Sequence, residues 1–230
     1  MAAVSGKVLY EDNHLIIINK APGDIVQGDE TGDKPLLDEV KDYIKEKYKK
    51  PGEVFLGLVH RIDRPVSGIV VFARTSKALA RMNELFQNRQ ITKKYLAITR
   101  FKPPDTQGTL THYLLKNNYK NKSYVYFNEK KGTSKAVLDY KLLAQSESFY
   151  LLEVNLHTGR HHQIRAQLAA IGCPIKGDLK YGDKRSNDEG SISLHASFIS
   201  FTHPVSHTPI ELTAPAPENS LWKIFGRYLL

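Results

Sequence analysis

The sequence contains one cysteine among its 230 residues, and this scarcity excludes several classes of protein. Cys173 has no second cysteine with which to form a disulfide, and a metal site built on several thiolates is excluded for the same reason. Its context, IGCPI, is typical of a small buried apolar side chain. A chain without disulfides suits a reducing compartment, so we expect a cytoplasmic protein.

Long apolar runs are also missing. No segment approaches the roughly 18 residues that a transmembrane helix requires. The N-terminal segment MAAVSGKVLYEDNHLIIINK lacks the basic region and following apolar region of a secretory signal. No stretch rich in proline, glycine and serine divides the chain, so we predict a single domain over residues 1–230. A monomer is the default expectation.

The usual signatures of nucleotide, metal and hydrolase sites are absent from the sequence. It has no GxxxxGK[ST], no glycine-rich dinucleotide fingerprint after the first strand, no HExxH and no GxSxG. His157, His161 and His162 lie close together, but without an acidic or thiol ligand they favour hydrogen bonding or phosphate contact over metal binding. Asp178 and Asp183, beside glycines in KGDLKYGD, are interpreted as residues of local turns.

Positive charge is what the sequence has in excess. It carries 33 lysines and arginines against 24 acidic residues, a net charge of +9 with a pI near 9.4. Such a balance favours polyanions, because clustered lysines and arginines release counterions from phosphate backbones. No basic amphipathic helix indicates a membrane surface, so a nucleic acid is the favoured partner.

Apolar periodicity predicts many strands and three helices. The strands are expected at 7–10, 15–20, 69–73, 93–99, 108–113, 123–127, 133–143, 149–156 and 193–201. The helices are expected to begin at Pro35, at Thr75 or Ser76, and at His161, and Gly172 should end the last of them. Because strands outnumber helices and short turns join most of them, we predict an α+β fold with a largely antiparallel sheet.

The segment HRIDRPVSG, residues 60–68, places one carboxylate between two arginines. Pro65 and Gly68 are expected to interrupt regular structure between the apolar segments on either side. Asp63 would then lie on a loop held by rigid elements, a position typical of functional residues, although aspartate also occurs in turns for local reasons. With no acidic partner in a comparable loop, Asp63 suits an ionised nucleophile or base better than a paired-carboxylate glycosidase.

Five segments together resemble the RluA-type pseudouridine synthases. HRIDRPVSGIVVFART resembles the signature segment of that family, and four others occur in the family's order: VLYEDNHLIIINKAPG, KKYLAI, LHTGRHHQIRAQLAAIGCPIKGDLKYG and SLHASFISFTHP. They cover roughly Val8 to Pro204, and joint agreement by chance is far rarer than a single motif match. Four residues differ from those that are commoner in the family at their positions: Ile62, Val66, His161 and Gln167. These differences bear on the choice of substrate rather than on the reaction.

The resemblance implies isomerisation of uridine in RNA to pseudouridine, without a cofactor or a metal. It implies a pseudouridine synthase fold, with a largely antiparallel mixed sheet flanked by helices and loops around a central RNA-binding cleft. Asp63 would be the essential carboxylate, Arg165 its buried cationic partner, and Tyr95 an aromatic that stacks on the uracil and assists proton transfer. Attack by Asp63 on the uracil ring, attack on the sugar and elimination to a glycal all stay open.

The resemblance also implies that the target base is flipped out of structured RNA. The predicted RNA-binding residues flank Asp63 or lie at the entrance of the last helix: His60, Arg61, Arg64, Arg160 and His162. Because the family's hairpin begins within the first ten residues, we expect no preceding S4-like module. Target choice would then depend on Gly28–Lys50 and on the basic stretch Lys116–Lys135.

Two other functions remain open on the sequence alone. A non-catalytic RNA-binding or remodelling protein on the same fold would bind RNA equally well with Asp63 replaced by asparagine. A nucleotide-sugar or glycoside-cleaving enzyme would use Asp63 to release a free base or sugar. The joint presence of Asp63, Tyr95 and Arg165 favours the synthase, with ribosomal and transfer RNA both open as substrates.

Overall fold

The structure, a computed structural model, describes residues 2–28 and 32–229, without the side chains of residues 2, 3 and 189. The chain forms two compact units, each with its own internal contacts. Unit 1 comprises Met1–Thr92 and Ser197–Pro215, and unit 2 comprises Lys93–Ala196 and Ala216–Leu230. The expectation of one domain over residues 1–230 stays a prediction.

Strands outnumber helices in the described part of the chain, and the predicted α+β class is confirmed. In chain order the elements are α1 (Ala2–Ser5), β1 (Val8–Glu11), β2 (Leu15–Lys20), α2 (Leu36–Lys47), β3 (Gly57–Leu58), β4 (Ser67–Ala73), α3 (Ser76–Gln87), β5 (Thr92–Thr99), β6 (Gln107–Asn117), β7 (Lys122–Tyr126), β8 (Ser134–Gln145), β9 (Tyr150–Leu156), α4 (Gln163–Ala170), β10 (Leu194–Thr202), β11 (Pro209–Thr213) and α5 (Ser220–Lys223). Short 3₁₀ helices occur at Leu179–Tyr181, Asp188–Gly190 and Gly226–Tyr228.

Unit 1 is built on antiparallel pairs in which β2 lies between β1 and β4. The centre of β2, IIIN, pairs with IVVF of β4, and Ile17 lies opposite Val71. Runs of β-branched residues that are buried on both faces favour such a strand over a surface strand with alternating polarity. Met82 of α3 and Ile199 of β10 complete a continuous apolar core. The loop that carries Asp63 leads directly into β4, whose residues are all buried.

The strands of unit 2 form antiparallel pairs in the order β5-β9-β8-β6-β7. Tyr95 on β5 lies opposite Val154 on β9. Trp222 and Phe225 from the C-terminal segment pack against Leu96 and Leu151. This cluster buries one side of β5, the strand that presents Tyr95.

Helix α4 begins two residues later than the sequence predicts. His162 adopts a left-handed backbone conformation with φ of 53°, and the helix therefore begins at Gln163 rather than at His161. Its end agrees with the prediction, because Gly172 at φ of 81° follows the last turn and donates its N–H to the Ala169 carbonyl. Arg165 consequently lies in the first turn of α4.

One prediction about strands is wrong, and one strand was missed. Gly68 lies inside β4 opposite Lys20, with φ of 112°, whereas the sequence suggested that it would interrupt the ladder. A residue without a side chain tolerates this conformation within a paired strand. β11 was not predicted at all, and it pairs with β10 through contacts such as Ile210 with Phe201. No helix among residues 2–28 and 32–229 combines the length and the apolar character that crossing a membrane needs.

Candidate active site

The loop that carries Asp63 is held in place through its main chain. The Asp63 carbonyl accepts a hydrogen bond from the Val66 N–H at 3.0 Å, which closes a turn across Arg64 and Pro65. The Arg64 carbonyl accepts from the Gly23 N–H at 2.9 Å and from Nζ of Lys20 at 3.0 Å. The position of the half-buried Asp63 is therefore fixed by groups from the end of β2 and the turn that follows it.

Lys20 is the buried cation beneath this loop, and its side chain is only 1% exposed. Its Nζ donates to the carbonyls of Ala21 at 2.8 Å, Asp24 at 2.8 Å and Arg64 at 3.0 Å. Burial lowers the pKa of Lys20 to about 8, although the negative charges of Asp24 and Asp63 oppose the shift. This role of Lys20 was not predicted, because lysine at a strand end is ordinarily exposed.

We expect the stability of the wild type to rise, relative to a Lys20→Met variant, as the pH rises from about 8 to 10.5. In that window the folded protein loses the Lys20 proton while the unfolded chain keeps it, so the unfolded state binds more protons and is disfavoured by added base. Across the whole window, the free energy of unfolding of the wild type should rise by about 3 kcal/mol relative to that of the variant. Urea unfolding of both proteins at pH 7.5 and pH 10 measures it, and parallel pH dependences would contradict the assignment.

The other predicted residues of this loop differ in their environments. Arg61 is exposed, and Arg64 forms an exposed ion pair with Asp33 at 2.6 Å. Such an exposed pair contributes little to stability. His60 is partly buried, and its Nε2 accepts the Val71 N–H at 3.2 Å. Within the described unit 1, His60 thus ties the start of the loop to β4.

Arg165 in unit 2 is a buried cation with a buried carboxylate partner. Its Nε donates to Oδ2 of Asp178 at 2.6 Å and its Nη2 donates to Oδ1 at 2.9 Å. The side chains are 6% and 1% exposed. Interpretation of Asp178 as a residue of a local turn is therefore incomplete, since its carboxylate carries a bidentate ion pair. Asp178 lies in the family segment that includes GDLKYG, but the spacing of that segment did not indicate that Arg165 is its partner.

The TGR turn before α4 is organised by Gln163. Oε1 of Gln163 accepts from the Thr158 hydroxyl at 2.7 Å and from the Arg160 N–H at 3.0 Å. Arg160 is exposed, and its Nε donates to the Lys135 carbonyl at 3.1 Å. Four of the predicted site residues therefore occur in unit 2. Tyr95 lies on β5, and three residues lie at or just before the start of α4: Arg160, His162 and Arg165.

His162 is buried and uncharged. Burial, followed by the positive charge of Arg165, holds its pKa far below the ordinary value for histidine. Its Nδ1 lies 3.0 Å from the Tyr181 hydroxyl, which itself accepts the Ser123 N–H at 2.8 Å. His162 adds no positive charge for phosphate binding, and any contact with RNA would be a hydrogen bond of the neutral ring.

The described residues 2–28 and 32–229 contain no group of three or more histidine, cysteine, aspartate and glutamate side chains arranged to hold a metal ion. What the sites offer instead is a loop carboxylate, a tyrosine and fixed cations. Such groups can donate and accept protons, stabilise charge and attack an electrophilic carbon.

Comparison with known proteins identifies the family. Residues 14–170 match the sequence model of the RNA pseudouridylate synthase family. Ribosomal large subunit pseudouridine synthase C of Buchnera aphidicola subsp. Acyrthosiphon pisum (strain APS) is 33% identical over 216 residues, covering 91% of this chain and 67% of that protein. tRNA pseudouridine synthase C of Pectobacterium carotovorum subsp. carotovorum is 31% identical over 243 residues, covering 96% of this chain and 62% of that protein.

The solved structures agree with these relatives. The human protein RNA Pseudouridylate Synthase Domain Containing 4 superposes with a TM-score of 0.79 at 25% identity, over 94% of this chain and 91% of that one. The predicted pseudouridine synthase fold is confirmed. The matched segment contains the loop of Asp63, the strand of Tyr95 and the first turn of α4. The chain therefore belongs to the RNA pseudouridylate synthase family and is an RluA-type member of it.

Proposed function

We propose that this protein isomerises specific uridines of ribosomal or transfer RNA to pseudouridine, with Asp63, Tyr95 and Arg165 as its catalytic residues. The family match over residues 14–170, which includes all three, is the observation that carries the proposal. The names of the relatives support both RNA classes, since one relative is a ribosomal and another a transfer RNA enzyme.

The reaction breaks the N1–C1′ bond of uridine and forms a C5–C1′ bond. The proton on C5 is released and N1 gains one, so the atoms balance without an oxidant, a reductant or a second substrate. An ionised Asp63 supplies the carboxylate that assists cleavage of the first bond. Tyr95 supports the detached ring by stacking, and the Arg165 guanidinium stabilises negative charge. The protein's contribution is orientation and fixed charge.

Surface groups in each unit support RNA as the substrate. In unit 1, Arg61 and Arg64 expose guanidinium groups next to Asp63. In unit 2, the hairpin of β6 and β7 presents lysines among exposed aromatic rings, with Tyr119 96% and Phe127 71% exposed. Aromatic rings among cations stack on unpaired bases while the lysines neutralise phosphates. We propose that Lys116–Lys135 contributes to the choice of RNA.

Transcripts of ribosomal and transfer RNA that carry [5-³H]uridine test the proposal. The purified protein should release tritium in proportion to pseudouridine formed, because the C5 proton leaves whenever the new bond forms. Chromatography of the nucleosides identifies the product. Release of free uracil would indicate a glycoside-cleaving enzyme instead. RNA binding without any release from either class of transcript would indicate a non-catalytic RNA-binding protein.

A further inference from the structure

Asp178 is a buried carboxylate to which the proposed mechanism assigns no role. It engages Arg165 side-on, through Nε at 2.6 Å and Nη2 at 2.9 Å, and is only 1% exposed. A guanidinium group has five N–H donors in one plane. Two of them are directed at Asp178, so the other three point away from this carboxylate. The ion pair therefore sets the direction in which Arg165 presents its charge.

The turn that carries Asp178 is itself fixed. The Asp178 carbonyl accepts from the Tyr181 N–H at 3.1 Å and from the Asp183 N–H at 3.0 Å. Oδ2 of Asp183 accepts the Gly177 N–H at 2.6 Å, immediately before Asp178. Nζ of Lys176 is anchored by Oδ1 of Asn187 at 2.8 Å. The position of the Asp178 carboxylate is thus fixed by the hydrogen bonds of its own turn as well as by Arg165.

Tyr181 restrains a different side of the guanidinium. Cζ of Arg165 lies 5.2 Å from the centre of the Tyr181 ring, within the range of a cation–π contact. The hydroxyl of the same tyrosine is bound by the Ser123 N–H and by His162. A planar group with one edge on a carboxylate and an aromatic ring nearby has little rotational freedom. Lysine has a single ammonium and could not be held in this way.

We infer that Asp178 is a positioning residue, which aligns Arg165 for the isomerisation; this rests on the proposed function. Stability alone is a poor reason for the pair, because buried ion pairs are often matched by apolar residues of similar volume. A displacement of about 1 Å in a catalytic group is enough to slow a reaction by about 100-fold. Asp178→Asn would produce such a displacement, since the new amide presents a donor to the Nε–Nη2 edge.

A double-mutant cycle of Asp178→Asn and Arg165→Lys tests the inference, using tritium release from [5-³H]uridine transcripts at saturating RNA. We expect each single variant to lower kcat by about 100-fold with little change in KM. The double variant should be no slower than the slower single variant, because Asp178 acts through Arg165. Glu11→Gln is the matched control, because Glu11 is a buried carboxylate of unit 1 that pairs with Arg74 and Lys47 and takes no part in the turn that holds Asp178. Its effect should multiply with that of Arg165→Lys.

Independent, multiplicative losses for Asp178→Asn and Arg165→Lys would overturn the inference, as would unchanged kcat in Asp178→Asn. If Asp178→Asn does not fold, Asp178→Glu replaces it in the same cycle, because the carboxylate is retained and displaced by one methylene. Multiplicative losses there would equally overturn the inference. A wild type that forms no pseudouridine would overturn the proposed function and this inference together, whereas an active wild type with an equally active Asp178→Asn would overturn this inference alone.

Discussion

Replacement of Asp63 by asparagine should abolish pseudouridine formation while leaving RNA binding intact. The amide is nearly isosteric with the carboxylate, but it is neither nucleophilic nor basic, so we expect the rate to fall by about 10⁴-fold. Affinity for RNA should not decrease, because the substitution removes a negative charge from a surface that binds phosphates. Single-turnover tritium release measures the first effect, and filter binding of the same transcript measures the second.

Asp139→Asn is the control for this experiment. Asp139 is an exposed aspartate of β8 whose partners are Thr109 and His157, and its loss should leave the rate unchanged. Comparable activity of Asp63→Asn and the wild type would contradict the assignment of Asp63. Loss of binding in Asp63→Asn would show that the loop had been distorted, and its unfolding by urea would then be compared with that of the wild type.

Gly177→Ala should strongly destabilise the protein. Gly177 has φ of 91°, and a Cβ there would lie 2.7 Å from the Ser191 carbonyl oxygen and from the Asn187 side chain. The left-handed conformation costs about 1–2 kcal/mol for alanine, and the overlap with backbone adds a cost of about 1–3 kcal/mol. We therefore expect the free energy of unfolding to fall by about 2–5 kcal/mol. Activity should fall as well, because Asp178 is the next residue.

Gly182→Ala separates the two contributions. Gly182 has φ of 111°, but a Cβ there would meet no atom within 4 Å. Only the conformational cost of about 1–2 kcal/mol should remain. Urea unfolding of both variants provides the comparison. Equal losses of unfolding free energy at the two positions would show that movement of the loop relieves the overlap with Ser191 and Asn187. The close approach of the chain at Gly177 would then not be needed for stability.

Elements with strong local patterns were predicted well from the sequence. The cap of α3 is an example, since Thr75 accepts the Ala78 N–H at 3.2 Å, as a threonine before a helical apolar stripe suggests. β2 and β4 were predicted because continuous runs of isoleucine and valine leave few alternatives. β11 was missed because PIELT is short and begins with proline, and its pairing with β10 is a tertiary contact.

The candidate site was predicted in its residue types but not in its supports. The position of Asp63 on a loop followed from Pro65 and the apolar run beyond it. Lys20 and Asp178 gave no comparable signal, because a charged residue beside a turn is usually solvated. Burial of each depends on partners distant in sequence, such as the Arg64 carbonyl for Lys20.

The sequence by itself determined the α+β class, the family and the identity of the residues proposed to act in the reaction. The α+β class follows from local periodicity, whereas the family and its residues follow from the resemblance of the five segments and from their order along the chain. Only the tertiary structure decided how the residues are held, with Lys20 bound by three carbonyls and Arg165 clamped by Asp178. It also made His162 neutral rather than cationic. Burial and hydrogen-bond geometry decide the charge and direction of a side chain, and both arise only when distant segments pack together.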